Sequence, residues 1–315
     1  MLSCPLVEVY RLSLLSRRFE ERVARLALEG FLPPMLHPGA GHEVSQIAAL
    51  AALRPLDPVI YSHRGLAYMV ARGVSLQAIL CDIAGRVGGT NNGKGGIMHV
   101  VDPSRGIYGE SGTLGGGLVV ATGMGMALQK KKSDALVVHF FGDGGSNRGP
   151  FHESLNWAAV QKLPVIFVCE NNGWAVSVPA SRSTAVEDIS LRAIGYGIPG
   201  HIVQGDDPEQ VFATFAQAAD RARAGQGPSL IEIKAVRLLG HYSTDPQDYR
   251  SDVASASEKD PLPKLADMLL AQGLADTAAL SAMEQEIERQ IADAVAQARQ
   301  APLIDAREAM TDLFA

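Results

Sequence analysis

The chain has 315 residues, 47% of them hydrophobic, and a formal net charge of −6 at pH 7. This size and composition allow one large α/β domain or two small ones. A mildly acidic chain offers no cationic surface to a phosphate backbone, so nucleic acid is excluded as the main partner. No stretch is long and apolar enough to predict a membrane-spanning helix. The three cysteines, Cys4, Cys81 and Cys169, are spaced for neither a zinc site nor a disulfide framework, which predicts a reducing, cytoplasmic location.

The N-terminal part of the chain is predicted to be helical. Apolar residues recur at helical spacing over Leu6–Leu28, and the pattern ends at Gly30. The arginines of this segment are accompanied by glutamates, which favours a folded helix over a targeting segment, because targeting segments are poor in acidic residues. Further helices are predicted at Glu43–Leu53, Leu66–Ala71 and Leu76–Ala84.

Glycine is concentrated in the next part of the chain, where Gly85–Gly149 holds 18 of the 32 glycines. Such a density costs backbone entropy and needs a structural reason. A disordered linker is one reason, but the stretch encloses a helix-like run, Leu118–Leu128, and a strand-like run, Ala135–Phe141. We therefore expect glycines that let the backbone approach a ligand closely.

A parallel βαβ unit is predicted next. A strand, the turn Gly142–Gly149, a helix and a second strand follow one another over Ala135–Cys169. Asp207 and Pro208 then open another helix, and Leu230–Val236 forms a further strand. This alternation predicts an α/β fold with a doubly wound, mostly parallel sheet flanked by helices, in which ligands bind beyond the carboxyl ends of the strands.

The C-terminal part begins with Gly240–Asp260, a polar stretch without periodicity that is predicted to be a functional or mobile loop. Helical spacing returns over Pro261–Ala301. The predicted organisation is an N-terminal helical arm (residues 1–35), an α/β domain (36–240), an active-site loop (241–260) and C-terminal helices (261–315).

Two segments at consecutive strand ends carry the oxygen ligands expected of a metal site. Asp143 follows the first strand of the βαβ unit, and Asn172 follows the second. Their carboxylate and amide oxygens can meet at one sheet edge, and oxygen ligands of this kind suit Mg²⁺. Gly144 and Gly145 would let backbone amides approach the phosphates of a ligand.

Three other interpretations compete with this one. A dinucleotide-binding fingerprint begins at Gly142 but fails at Asn147, where its third glycine is required. A nucleotide-binding P-loop begins at Gly88, but Gly95 stands where a serine or threonine must hold the metal. The third is an ordinary tight turn at Gly142–Gly144, against which the Asn-Asn pair at the expected distance argues.

The run FFGDGGSNRGPFHESLNWAAVQKLPVIFVCENNGWAVSVP resembles the α subunits of the pyruvate, branched-chain 2-oxo acid and acetoin dehydrogenases. The resemblance extends from about Tyr10 to the C terminus. Further motifs of these subunits appear in order, as RRFEERV near Arg17, ARGVSLQAIL near Arg72, GKGGIMH near Lys94 and GHYSTDPQDYR near His241.

The resemblance implies the thiamine-diphosphate-binding fold, with thiamine diphosphate and Mg²⁺ as cofactors. It implies oxidative decarboxylation of a 2-oxo acid, or cleavage of acetoin, with acyl transfer to a lipoyl group. A separate β subunit in an α₂β₂ heterotetramer and a lipoyl-bearing acyltransferase are the implied partners. Two alternatives stay open, a subunit of an acyloin ligase or lyase and a non-catalytic scaffold of the same fold that only binds a partner.

The resemblance also implies roles for individual residues in binding the cofactor. Asp143, Asn172 and the backbone carbonyl of Trp174 match the Mg²⁺ ligands, and Gly144 and Gly145 match diphosphate contacts.

Other positions match residues around the cofactor ring and the substrate. Gly112 and Leu114 match residues that line the aminopyrimidine and support the cofactor, and His63 and Arg64 fall where the family usually has a diphosphate-binding Tyr-Arg pair. His241 matches the catalytic histidine of the active-site loop, near the diphosphate and the substrate. His37 matches a catalytic histidine on the side of the site where the substrate binds.

Residue by residue, simpler interpretations also exist. Arg64 could form a surface ion pair, and His37 and His241 could be loop histidines without a role. The sequence departs from the family on the substrate side, where Glu110-Ser111 replaces a usual Gly-Asn. The other departures are Leu66 in place of a histidine, Ile97 in place of a serine and Tyr242 in place of a serine that is often phosphorylated.

Overall fold

A parallel β-sheet of five strands lies at the centre of the structure, a computed structural model that describes residues 3–34, 36–110 and 112–311. In chain order the strands are β1 (Val59–Ile60), β2 (Val137–Gly142), β3 (Val165–Asn171), β4 (Trp174–Ala175), β5 (Val178–Pro179), β6 (Gly200–Gln204) and β7 (Ser229–Lys234). The order across the sheet is β1-β2-β3-β7-β6, and β4 and β5 form a separate antiparallel ribbon.

Helices surround this sheet. Among the described residues the α-helices are α1 (Leu6–Leu28), α2 (Glu43–Ala51), α3 (Leu66–Ala71), α4 (Leu76–Ile83), α5 (Gly116–Lys130), α6 (Gly149–Gln161), α7 (Ala180–Ser183), α8 (Pro208–Arg223), α9 (Val253–Ser257), α10 (Pro261–Ala271) and α11 (Thr277–Gln300). Within the described ranges, no helix has the length and apolar character that crossing a membrane requires.

Each face of the sheet has its own hydrophobic core, because successive side chains of a strand point to opposite faces. Val138 and Phe140 of β2 pack with residues of α1, α2 and α8. Val137 and Phe141 of the same strand pack with residues of α5 and α6. Helices thus cover both faces, which confirms the predicted α/β fold with a parallel sheet flanked by helices.

The sequence predicted the strongly patterned elements but missed the weak ones. β1 has only two residues, and β6 is largely exposed along its length, so neither carries the apolar run by which a buried strand is recognised. The predicted loop Gly240–Asp260 contains the short helix α9. Cys169 is a free, fully buried core thiol, as its apolar surroundings predicted.

A further segment extends the sheet beyond β1. Val59 bridges Ile107 in the parallel sense, and the Tyr61 amide donates to the carbonyl of Gly109 over 3.0 Å. The chain leaves this segment at Glu110. The carboxyl edge of this one sheet is therefore where the chain emerges after Ile60, Gly109, β2, β3 and β7.

Candidate active site

Asp143 is the first residue after β2, and it is 3% exposed. Its Oδ2 atom is buried and has no hydrogen-bond partner among the described residues. Burial raises the pKa of this carboxyl group to about 6, although the Gly144 amide and the positive charge of Arg237 act in the opposite direction. A buried acidic oxygen without a partner is costly unless a cation or a donor meets it, so Asp143 fits the role of a metal ligand.

Asn172 reaches the same edge from the neighbouring strand. β2 and β3 are parallel with Gly142 opposite Glu170, so the chain leaves both strands side by side. The Oδ1 atom of Asn172 accepts the Trp174 amide over 3.1 Å, and its Nδ2 donates to Nε2 of His42 over 3.2 Å. An amide oxygen has two lone pairs, so Oδ1 keeps one for a further ligand.

Gly144 and Gly145 are required by close packing of the turn. A Cβ on Gly144 would lie 2.9 Å from Cβ of Ala175, and one on Gly145 would lie 3.3 Å from the Phe141 ring. The turn after β2 is therefore pressed against β4. Leu114 approaches the same point from the other side, since its Cδ2 is 4.0 Å from that Gly144 position.

Trp174, in β4, lies between this turn and two buried arginines. The guanidinium groups of Arg237 and Arg250 lie 5.9 Å and 5.7 Å from the centre of a Trp174 ring. Pro179 lies opposite Trp174 in the antiparallel ribbon and has no N–H to donate to its carbonyl group. The hydrogen bond from the Trp174 amide to Oδ1 of Asn172 fixes the two residues relative to each other.

A buried hydrogen-bonded cluster around Glu170 supports Asn172. Glu170 accepts hydrogen bonds from Gln46 (2.7 Å), Ser62 (2.6 Å) and Nδ1 of His42 (3.2 Å). Burial alone would raise the pKa of Glu170, but these donors, His42 above all, outweigh it and hold the pKa below its usual value. His42 is oriented by Glu170 and in turn fixes the amide of Asn172.

Arg64 follows β1 and is 3% exposed, so the interpretation as a surface ion-pair residue is wrong. Its Nη1 donates to the carbonyl of Pro38, and its Nη2 lies 3.4 Å from Nδ1 of His241. Burial, helped by the charge of Arg237, lowers its pKa to about 10, so the guanidinium is still charged at neutral pH. A buried guanidinium group favours an anionic ligand.

Three histidines from distant parts of the chain meet beside Arg64. The ring centres of His37, His63 and His241 are 4.8–5.3 Å apart, and Nδ1 of His37 donates to the His241 carbonyl over 2.8 Å. Burial lowers the pKa of all three imidazoles, that of His241 to about 4, and Arg64 adds to the effect. The buried Nε2 of His63 has no hydrogen-bond partner among the described residues.

The ligand nitrogens of these histidines lie within 4.8 Å of one another, a spacing that a metal ion could bridge. The guanidinium of Arg64, however, occupies Nδ1 of His241, and its positive charge opposes a second cation at this point. Neutral imidazoles around a buried arginine suit an anion better than a metal.

The His241 backbone is fixed by its own loop. Asp245 accepts the His241 amide over 2.6 Å and the Tyr249 hydroxyl over 2.5 Å, and Arg237 donates to that hydroxyl over 2.8 Å. Asp245 and Tyr249 lie within the motif that carried the resemblance, but the sequence alone gave neither a role. Arg237 lies just beyond the end of β7, where the sequence offered no signal of a buried cation.

Gly112 and Leu114 lie on the open side of the cleft. Gly112 is exposed and has His99 as its nearest neighbour, since a Cβ there would lie 3.6 Å from the His99 ring. Leu114 is 53% exposed and lines a narrow cavity with His63 and Gly142. The structure therefore places Leu114, but not Gly112, against the residues around Asp143. Ser111 lies outside the described residues.

Comparisons with known proteins agree with the resemblance. Residues 11–307 match the family model described as dehydrogenase E1 component. The alpha subunit of the acetoin:2,6-dichlorophenolindophenol oxidoreductase of Bacillus subtilis (strain 168) is 37% identical, over 97% of this chain and 92% of the relative. The pyruvate dehydrogenase E1 component subunit alpha of Rhizobium meliloti is 35% identical over 98% and 89%. The 2-oxoisovalerate dehydrogenase subunit alpha of Bacillus subtilis is 35% identical over 98% and 95%.

Proposed function

Because the chain belongs to the dehydrogenase E1 component family, we propose that it is the α subunit of a thiamine-diphosphate-dependent, Mg²⁺-requiring E1 enzyme. Its proposed reaction is oxidative cleavage of a 2-oxo acid or of acetoin, with transfer of the acyl group to a lipoyl disulfide. The buried Oδ2 of Asp143, which has no hydrogen-bond partner in the part of the chain that the structure describes, lies at the sheet edge that Asn172 and Arg64 also reach and is the observation that carries this proposal.

The residues at this edge fit the cofactor in the thiamine-diphosphate-binding fold. Asp143, Asn172 and the Trp174 carbonyl would hold Mg²⁺, because they offer the oxygen ligands that this ion prefers. Arg64 would bind the diphosphate with its guanidinium group, and the close-packed turn at Gly144 would present backbone amides to the same group. His63, Gly145, Gly112 and Leu114 complete the proposed contacts.

Thiamine diphosphate, when bound, supplies the nucleophilic carbon and the electron sink for the cleavage. The chain itself binds and orients the reacting molecules, and it moves protons. His37 and His241 are neutral at pH 7 because burial lowers their pKa. Nδ1 of His37 donates to the His241 carbonyl, so Nε2 of His37 can accept a proton from a bound molecule. Nδ1 of His241 accepts from Arg64, so Nε2 of His241 carries the hydrogen and can donate it to a bound molecule. Asp245 holds the loop that carries His241, and the charge of Arg64 attracts a substrate carboxylate.

Several apolar side chains are exposed on the elements next to the proposed site, namely the start of α5 and the β4–β5 ribbon. Leu114, Val119, Val120, Val176 and Val178 are each at least 44% exposed. Exposed apolar groups concentrated around a cleft are typical of protein interfaces. We propose that a β subunit covers this surface in an α₂β₂ heterotetramer, and that a lipoyl-bearing acyltransferase receives the acyl group.

The proposal is tested by measuring Mg²⁺-dependent binding of thiamine diphosphate to the complex of this chain with its β subunit. Asp143→Asn keeps the shape of the side chain but removes its charge, and we expect roughly 100-fold weaker binding, about 2.7 kcal/mol. Asp134→Asn is the matched control, because Asp134 is an exposed residue paired with Arg54. Equal affinity in wild type and Asp143→Asn would contradict the metal assignment.

A substrate panel tests the reaction. The wild-type complex, supplied with an artificial electron acceptor, is expected to oxidise at least one of pyruvate, a branched-chain 2-oxo acid and acetoin. Failure with all three, in a complex that binds the cofactor, would contradict the proposed reaction while leaving cofactor binding intact.

A further inference from the structure

Glu110 places a carboxyl group in the cleft, and the proposed cofactor site makes no use of this group. It follows the segment beside β1 and so emerges at the same sheet edge as Asp143. Its side chain is 10% exposed, and its Oε2 is buried without a hydrogen-bond partner among the described residues. The nearest ionisable partner is Nδ1 of His99, at 3.9 Å, which is beyond hydrogen-bond distance.

Glu110 lines the same narrow cavity as Leu114, His63 and Gly142. His63 connects this cavity to the three-histidine cluster beside Arg64. The cavity thus shares His63 with the proposed site for the diphosphate and the substrate.

A second unusual group lies in the same cavity. His139 of β2 lines it and uses Nδ1 to donate to the Ile60 carbonyl over 3.1 Å. Its imidazole has room only because Gly117 of α5, opposite it, has no side chain. Burial lowers the pKa of His139 to about 4 and raises the pKa of Glu110 to about 7. The cavity is therefore polar but carries no fixed positive charge of its own.

The chemistry of a matching ligand group follows from these facts. A buried carboxyl oxygen without a partner costs free energy until a hydrogen-bonding group meets it. A hydroxyl group can donate to the carboxylate and accept from the carboxylic acid, so it matches both protonation states. A second carboxylate would instead meet the negative charge of ionised Glu110 in a partly buried site.

We propose that Glu110 is a specificity-determining residue that hydrogen-bonds an uncharged hydroxyl group of the substrate, as in a 2-hydroxy ketone, and disfavours substrates that carry a second carboxylate. This inference rests on the proposed function, because it requires a substrate held beside the cofactor in this cleft.

The test uses the α/β complex loaded with thiamine diphosphate and Mg²⁺. Equilibrium binding is measured by ligand-observed NMR for butane-2,3-diol, which has hydroxyls but no reactive carbonyl, and for succinate, a dianion of similar length. The variants are Glu110→Gln, which removes the charge, Glu110→Ala, which removes the hydrogen bond, and Glu288→Gln, an exposed glutamate of α11, as the control.

We expect Glu110→Ala to weaken diol binding about tenfold and Glu110→Gln to tighten succinate binding by a similar factor, with the control unchanged. In turnover, Glu110→Ala should lower kcat/KM for acetoin more than for pyruvate. A complex that binds the cofactor but binds the diol equally well with and without Glu110, or not at all, overturns the inference alone. A complex that does not bind the cofactor overturns the proposed function and this inference with it.

Discussion

Gly117 and His139 pack so closely that a Cβ on Gly117 would lie 2.4 Å from Cε1 of the His139 ring. His139 is 4% exposed and is held by its hydrogen bond to the Ile60 carbonyl. Helix α5 therefore passes directly over the imidazole at the floor of the cleft. Neither the helix nor the ring can move without disturbing the cavity that both line.

Gly117→Ala is consequently expected to destabilise the protein by about 1–3 kcal/mol, because the added methyl group overpacks a filled site. The control is Gly123→Ala in the same helix, where no atom lies within 4 Å of the new Cβ. That change is expected to be neutral or to stabilise by up to about 1 kcal/mol, since alanine favours a helix over glycine. Thermal unfolding of the α/β complex measures both, and equal shifts for the two variants would contradict the packing.

His139 should also make stability depend on pH. Burial lowers its pKa from 6.5 to about 4, so between these values the unfolded chain binds a proton that the folded chain does not. The His139 contribution to stability is therefore present above pH 6.5 and is lost progressively as the pH falls toward 4.

In urea unfolding at several pH values, the stability difference between wild type and His139→Gln should shrink between pH 7.5 and pH 5. His152→Gln, which makes the same replacement at an exposed position, is the control. A constant difference between wild type and His139→Gln would show that this imidazole does not titrate as its burial requires.

Tyr249 links the active-site loop to Arg237. Its hydroxyl donates to Asp245, which also holds the His241 amide, and accepts from Arg237. Tyr249→Phe should free the loop around His241, giving faster amide hydrogen exchange over residues 240–250 and an activity loss of roughly threefold to tenfold, about 1 kcal/mol. Tyr242→Phe is the control within the same loop, because that hydroxyl group has no hydrogen bond to residues 3–34, 36–110 or 112–311. Unchanged exchange in Tyr249→Phe would contradict a positioning role.

Even lysine, the most conservative replacement, should not substitute for Arg64 in cofactor binding. Lysine keeps the charge, but a single ammonium group cannot both donate to Pro38 and His241 and present a planar edge to a diphosphate. Arg64→Lys is expected to weaken cofactor binding about tenfold, roughly 1.4 kcal/mol.

Arg72→Lys is the matched control for this prediction, since Arg72 also donates to backbone carbonyls, those of Arg54 and Asp57, but lies away from the cleft. Its cofactor affinity, measured by the same binding assay, should remain at the wild-type value. An Arg64→Lys complex that binds the cofactor as tightly as the Arg72→Lys complex would argue against a diphosphate contact.

The sequence was informative where a pattern is local. The apolar runs of β2 and β3 and the helical periodicity of α1 predicted these elements, because burial of one face imposes a regular spacing on neighbouring residues. The pairing of Asp143 with Asn172 could be anticipated for a similar reason, since parallel strands joined by one helix end at the same edge. The assignment of their roles in metal binding stays a prediction.

The tertiary structure alone decided which other groups join them. His42, Gln46 and Ser62 meet on Glu170 from segments more than 100 residues away, and His37 reaches His241 across 204 positions. No spacing rule relates such residues, because the chain between them can close in many ways until the sheet and its helices pack. The sequence by itself thus determined the fold class, the strand ends that carry the acid and the amide, and the family. Packing determined which of the histidines, arginines and buried acids face that edge, because their burial and charge arise only when distant segments come together.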